Sequence, residues 1–114
     1  MNLIAEQTIT AAGGAQTITM PDPNASLYVF NFLSVGSASP AAGTTAVSVV
    51  PAYGTSEPVT DTNGANLNID PTALRSFKLS YPIKSITFTP SSWTANSAIK
   101  VSVVSDSEMQ PLDL

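Results

Sequence analysis

The sequence predicts an all-β fold: an antiparallel β-sandwich or a jelly-roll-like small barrel of about seven or eight short strands. Three observations support this prediction. Apolar and polar residues alternate with a period of two along much of the chain, as they do in strands with one buried face. Nine Pro and six Gly residues interrupt the alternation, which leaves strands spaced about 8–12 residues apart, as in sandwiches and barrels. No segment shows a convincing helical period.

The chain length indicates a single domain. With 114 residues, of which 43% are apolar, the chain can form one core. We predict one β-sandwich domain over residues 1–106, with an N-terminal hairpin or arm over 1–20 and an acidic C-terminal tail over 107–114. Residues 1–9 and 109–114 are candidate arms, because both hold apolar residues that a solvated terminus does not require.

The first twenty residues predict a hairpin. The tetrapeptide Gln-Thr-Ile-Thr occurs at 7–10 and again at 16–19. Gly13 and Gly14 lie between the two copies, and glycine readily adopts the positive φ angles that a tight reversal needs. The inward face of this hairpin is expected to carry Leu3, Ala5, Ile9, Ile18 and Met20.

Residues 26–35 form the most apolar of the predicted strands. One face carries Tyr28, Phe30 and Phe32, and these three are the candidate oligomer or partner surface. Because the opposite face is also apolar, both faces are expected to be covered. Either the outer face is covered within the chain, by the N-terminal hairpin or a loop, or it meets another subunit, with a trimer as the expected homo-oligomer. The opposite face holds Leu27, Val29, Asn31, Leu33 and Val35.

The second half of the chain alternates more regularly. Loops are expected at 36–45, 53–64 and 90–97, where small residues, Pro and Asn-Gly accumulate. Asp70 and Pro71 are suited to begin one helical turn. The residues predicted to face inward are Leu67, Ile69, Phe77, Leu79, Tyr81, Ile86, Phe88, Ile99, Val101 and Val103.

No catalytic, cofactor-binding or metal-binding residue is predicted, so we do not expect an enzyme. The chain has no cysteine and no histidine, which excludes thiolate nucleophiles, disulfides, His/Cys zinc sites and Ser–His catalysis. Turn or capping duty accounts for Asp22, Asp61 and Asp70. The segment 61–64 lacks the spacing and the closing Glu of a calcium loop.

Charge and hydropathy argue against nucleic-acid and membrane partners. The formal net charge is −4, and only four residues are basic, so the clustered basic surface that phosphates require is missing. No apolar run approaches the roughly 18 residues of a membrane-spanning helix. The N-terminus lacks the basic region of a signal peptide. We expect the chain to stay in the cytosol or to enter a particle assembled there.

Two aromatic residues in predicted loops, Tyr53 and Trp93, are candidate contact residues. Exposed aromatic rings on a β-sandwich stack on sugars or anchor protein interfaces. These two residues therefore raise the alternative of a carbohydrate-binding or surface-binding module. Trp93 has a second interpretation, in which it folds back and caps one end of the core.

Residues 75–105 resemble the C-terminal half of small virion proteins of tailed phages. They include a strand with polar residues on one face and Ile and Phe on the other, a Thr-Pro-Ser turn at 89–91, and an Ala-Ile-Lys-Val-Ser-Val strand at 98–103. The low charge, the absence of Cys and the richness in Ala, Ser, Thr and Gly are similar as well. The resemblance implies a non-catalytic capsid decoration or cement protein of the virion that bridges subunits of the major capsid protein. A tail, baseplate or head-fibre component is the alternative within the virion.

Overall fold

The computed structural model describes residues 2–11, 14–21, 25–34, 43–60, 63–69, 76–94 and 96–106. Within these ranges the chain forms strands and no helix, which confirms the predicted all-β class. The strands are β1 (Asn2–Thr10), β2 (Gln16–Thr19), β3 (Tyr28–Ser34), β4 (Thr44–Pro51), β5 (Glu57–Pro58), β6 (Asn68–Ile69), β7 (Phe77–Leu79), β8 (Ile83–Ser91) and β9 (Ala98–Ser105).

The strands form two antiparallel sheets that enclose one core between them. Sheet I has the order β1-β9-β3-β7. Sheet II has the order β2-β8-β4-β5, and β6 also pairs with β4. The first four strands alternate between the two sheets, and so do the last three. Each strand therefore pairs mostly with strands that are distant in the sequence. The arrangement is a sandwich of two open sheets, in agreement with the first of the two predicted architectures.

The N-terminal hairpin predicted over 1–20 is wrong, because its two strands lie in different sheets. β1 pairs with β9, whereas β2 pairs with β8. The chain therefore forms an arch across the edge of the sandwich. Ile9 and Ile18 both point into the core, as expected, but they reach it from opposite sheets. β1 is paired from Asn2 onward, so it is not a free arm, and the predicted tail over 107–114 lies outside the described residues.

The aromatic face of β3 lies inside the sandwich. Tyr28 and Phe30 are 0% exposed, and Phe32 is 7% exposed. Phe30 stacks on Phe77 of the same sheet with ring centroids 4.8 Å apart, and Phe32 meets Phe88 of the opposite sheet edge-on at 5.8 Å. The prediction that these three residues form an oligomer surface is wrong: aromatic rings remove the largest apolar areas from water, so this face of β3 turns into the chain's own core.

The alternation in the second half of the chain predicts the core correctly. Ile86, Phe88, Ile99, Val101 and Val103 are all buried. The other inward positions are buried or pack against the core as partly buried side chains: Leu67, Ile69, Phe77, Leu79 and Tyr81. The helical turn predicted at 70–74 falls outside the described residues, as does most of the loop predicted at 36–45.

A carboxylate at the end of β9 ties this strand to the beginning of β3. Oδ1 of Asp106 accepts hydrogen bonds from the backbone N–H groups of Ser26 and Leu27, both at 3.0 Å. Oδ2 accepts the hydroxyl of Ser26. The Asp106 N–H donates to the Leu27 carbonyl at 3.2 Å. The hydroxyl of Ser26 and then these backbone donors lower the pKa of Asp106.

The orientation of β3 can be tested by truncating one side chain on each face. We expect Phe30→Ala to lower the free energy of unfolding by about 3–5 kcal/mol, since it empties part of the core. Val29→Ala should cost less than about 1.5 kcal/mol, because Val29 lies on the partly covered outer face. Urea unfolding followed by circular dichroism measures both. An equal or larger loss for Val29→Ala would contradict the orientation described above.

The Asp106 clamp should make stability depend on pH. The pKa of Asp106 is lower in the folded chain than the value of about 3.9 of an unfolded Asp. Its contribution is therefore fully present above about pH 4 and is lost as the pH falls through the folded pKa. We expect the urea midpoint of the wild type to fall more steeply between pH 5 and pH 2.5 than that of Asp106→Asn.

Ser26→Ala is the matched control for this experiment, because it removes only the hydroxyl donor and keeps both backbone donors. Its pH dependence should lie between those of the wild type and Asp106→Asn. If all three curves fall in parallel, the clamp does not contribute to acid stability.

Candidate partner-binding surface

The outer face of sheet II presents small hydroxyl side chains. Thr17, Thr87 and Ser48 occupy one row across three neighbouring strands. The hydroxyl oxygens of Thr17 and Thr87 are 2.8 Å apart and share a hydrogen bond. Thr19 and Ser85 form the next row. This second row continues on β4 with Val50, which is partly buried. The two rows carry no formal charge and expose no large apolar side chain.

The outer face of sheet I carries an apolar row instead. Leu3, Val104 and Val29 are register neighbours on β1, β9 and β3. Val104 and Val29 are partly buried, whereas 58% of Leu3 is exposed. Among the described residues, the only other large apolar side chain with this degree of exposure is Tyr53. We call Leu3, Val104 and Val29 the outer row; it is the surface on which an apolar contact can form.

A β-bulge explains why Leu3 points outward. Leu3 lies opposite Val104, but Ala5 lies opposite Val103, so Ile4 is an extra residue in β1. An extra residue reverses the faces of the strand beyond it. Ile4 packs against the core and Leu3 does not, so the prediction that Leu3 faces inward is wrong. The adjacent apolar residues Leu3 and Ile4, which break the alternation, were the sequence signal for this bulge.

An ion pair lies beside the outer row on the same face. Lys100 Nζ is 2.9 Å from Glu6 Oε1, and the hydroxyl of Ser102 donates to Glu6 Oε2 at 3.2 Å. The hydrogen bond from Lys100 is the main reason that the pKa of Glu6 is lowered. Both charged side chains are about 40% exposed, so water screens their attraction and the pair adds little to stability. Both partners lie on β9, so the two contacts link the Glu6 side chain of β1 to that strand.

β1 is an edge strand, and half of its backbone groups point away from the sheet. Ala11 N–H donates to the Ser97 carbonyl at 3.0 Å. Bonded residues alternate in an antiparallel ladder, so the odd-numbered residues of β1 after the bulge bond to β9. Glu6, Thr8 and Thr10 consequently turn their backbone N–H and C=O groups outward. The described ranges contain no strand beyond β1 on that side.

The side chain of Gln16 occupies one of these outward positions. Its Oε1 accepts the Thr10 N–H at 3.4 Å, and its Nε2 donates to the Thr10 carbonyl at 3.2 Å. One amide side chain thus makes the two bonds that a neighbouring strand would make. Within the described part of the chain, no strand pairs with the outward backbone groups of the other two residues, Glu6 and Thr8.

The two aromatic residues predicted to form loop contacts lie at opposite ends of β4. The indole N–H of Trp93 donates to the Thr44 carbonyl at 3.0 Å and to Thr45 Oγ1 at 3.1 Å. Trp93 is partly buried and packs against the core, as the capping interpretation predicts. Tyr53 follows the other end of β4 and is 90% exposed. The structure therefore does not bring the two rings into one aromatic platform.

Trp93 also lines a small cavity at its end of the sandwich. Its walls are almost entirely apolar: Ile9, Phe32, Thr45, Ile69, Phe88, Ile99 and Val101 complete the lining. The indole ring thus belongs to the wall that closes this end of the core.

Comparison with known proteins does not assign the chain to a family. No protein-family model matches the sequence, and no curated protein matches it. In the part of the chain that the structure describes, no three acidic side chains come together to hold a metal ion. The same ranges contain no helix of sufficient length and apolarity to cross a membrane.

The different roles of Trp93 and Tyr53 should appear in the free energies of unfolding of their alanine variants. We expect Trp93→Ala to lower the free energy of unfolding by about 2–4 kcal/mol, because it removes apolar packing and an indole N–H with two acceptors. Tyr53→Ala should change it by less than about 0.5 kcal/mol, since the ring is exposed. Urea titrations followed by circular dichroism suit both variants. A stable Trp93→Ala protein would show that the indole does not cap the core.

Proposed function

We propose that this chain is a non-catalytic structural protein of a tailed-phage virion, and specifically a capsid decoration or cement protein. In this role it binds across neighbouring subunits of the major capsid protein and stabilises the head. Its location is the virion, which is assembled in the host cytoplasm. The proposal combines the resemblance of residues 75–105 to small virion proteins with the composition and exposure of the outer row.

The observation that carries the proposal is the exposure of Leu3 at the end of the outer row. A partner that covers an exposed leucine removes apolar surface from water, which favours binding. Leu3 is the exposed end of a row whose other two members, Val104 and Val29, are partly buried. A partner that buries Leu3 therefore extends an existing apolar contact, and the Glu6–Lys100 pair beside it supplies a polar rim.

A decoration protein needs a rigid scaffold and a contact surface more than it needs a reactive group. Two sheets packed over an aromatic core supply the scaffold. Each copy makes only a modest contact, but many copies on a symmetric shell, each bridging several subunits, raise the overall affinity through effective concentration. The rows of hydroxyl side chains on sheet II then remain turned to water.

Two other functions fit particular observations. A tail, baseplate or head-fibre component is compatible with the same outer row and differs in copy number per particle. A carbohydrate-binding module is favoured by one residue, Tyr53, whose ring is 90% exposed. Trp93 does not support that function, because its indole N–H is engaged within the chain.

Copy number in purified particles tests the proposal directly. We expect quantitative mass spectrometry to find the chain in numbers comparable to those of the major capsid protein. A few copies per particle would favour the tail, baseplate or fibre role. Complete absence from the particles would overturn a virion function.

A pair of matched variants tests the surface. Leu3→Asp should weaken binding to capsids that lack the chain by at least about tenfold, because it places a charge in the apolar contact. Thr19→Asp puts the same charge on the exposed outer face of sheet II and should bind like the wild type. Co-sedimentation with capsids measures both, after circular dichroism has shown that each variant is folded. Equal binding by both variants would rule out the outer row as the contact surface.

A further inference from the structure

We propose that two copies of this chain associate through the free edges of their β1 strands. The two copies of sheet I then form one continuous eight-stranded antiparallel sheet. This association does not rest on the proposed function, since it follows from the backbone geometry of β1 alone.

The edge of β1 offers a short and well-defined pairing window. At one end, the bulge at Ile4 interrupts the regular ladder. At the other end, the Gln16 amide already occupies the outward groups of Thr10. Between these limits, the outward-facing residues are Glu6 and Thr8. An incoming strand can therefore make four regular backbone hydrogen bonds, two at each of these residues.

A second copy of the same window fits these four bonds in one register. In an antiparallel pair related by a two-fold axis, Glu6 of one copy lies opposite Thr8 of the other, and Thr8 lies opposite Glu6. Both residues of both copies are then bonded. If Thr8 lay opposite Thr8, Glu6 would lie opposite Thr10. The backbone groups of Thr10 are already bonded to the Gln16 side chain, so that register would lose hydrogen bonds.

Charge selects the same register. Glu6 opposite Glu6 would put two carboxylates on directly facing positions, which destabilises a β-pair. With Glu6 opposite Thr8, no two like charges face each other across the interface. Thr8 also lies opposite Lys100 within its own copy, so each row crosses the interface as Lys100, Thr8, Glu6 and Ser102. Every carboxylate therefore lies in a row that also contains an ammonium group.

The association has a consequence for the proposed function. A two-fold axis perpendicular to the paired sheet leaves the outer faces of both copies on the same side. The two exposed Leu3 side chains then point in the same direction from one continuous sheet. If the outer row binds the capsid, the pair binds it at two points, and the second contact is strengthened by effective concentration.

Disulfide crosslinking tests the register in a chain that has no native cysteine. In the proposed register Gln7 lies opposite Gln7 of the other copy as a non-hydrogen-bonded pair. The Cα atoms of such a pair are about 4.5 Å apart, within the range that a disulfide spans. We expect Gln7→Cys to form covalent dimers under mild oxidation.

Thr10→Cys, on the same strand, is the matched control. In the proposed register the two copies of position 10 are offset by six residues, or about 20 Å, so no disulfide can form between them. Dimers of Gln7→Cys together with monomers of Thr10→Cys support the proposal. Equal crosslinking of both variants, or of neither, overturns it.

A second variant removes the bonds themselves. Thr8→Pro deletes an N–H group that points away from β9, and proline is tolerated at such positions of edge strands. Light scattering after gel filtration should give the mass of two chains for the wild type and of one chain for Thr8→Pro. Lys78→Pro is the control. Lys78 lies on β7, the opposite edge strand of sheet I, and its backbone N–H points away from β3, so this variant should leave the dimer intact.

The mass of the wild type also separates the competing assemblies. A mass of one chain at all concentrations overturns the proposal, and a mass of three chains supports the trimer expected from the sequence instead. If Thr8→Pro fails to fold by circular dichroism, the cysteine pair decides the question. A monomer can still bind the capsid through its own outer row, and capsid binding is measured separately with Leu3→Asp and Thr19→Asp, so failure of the dimer and failure of the proposed function are distinguishable.

Discussion

The structure depends on the burial of the aromatic face of β3 between the two sheets. Phe30 and Phe32 contact Phe77 in their own sheet and Phe88 in the opposite sheet. Both faces of β3 carry apolar residues, but the aromatic rings have more surface to remove from water than the aliphatic side chains on the other face. This difference determines which face turns inward. The outer surface of sheet I, with Val29 in its middle, is the consequence of that choice.

A second constraint is that a chain with few charges must still protect its sheet edges. Edge strands attract other strands through their unpaired backbone groups, and proteins limit this with bulges, charges and coverage. β1 has a bulge at Ile4, a charged residue at Glu6 and the amide of Gln16 over Thr10. Together these features shorten the free edge to a window of two residues. The bulge also turns Leu3 outward, so edge protection and the candidate contact surface have the same origin.

Much of the fold was predictable where strands have one wet and one dry face. The alternation along β8 and β9 assigned Ile86, Phe88 and Val101 to the core correctly. The beginning of the chain was not predictable in this way. The Gly residues after β1 allow either a hairpin or an arch, and the choice depends on β8 and β9, whose residues lie tens of positions further along the chain. The candidate surface was missed for the same reason, because the exposure of Leu3 depends on a bulge opposite Val103.

By itself, the sequence determined the all-β class, the positions of most strands and the inward residues of the central strands, since a period of two is a local property that each strand carries alone. Because the sequence has no Cys and no His, it also determined that the chain has no thiol, disulfide or imidazole chemistry. Only the tertiary structure decided which strands pair and which apolar face of β3 is buried. It also decided that the side-chain amide of Gln16 bonds the outward backbone groups of Thr10 at the edge of β1. Strand pairing depends on contacts between residues that are far apart in the chain, and the buried face of β3 depends on competition between two apolar faces for one core. The contact of Gln16 with Thr10 depends on the placement of β1 and β2 in different sheets.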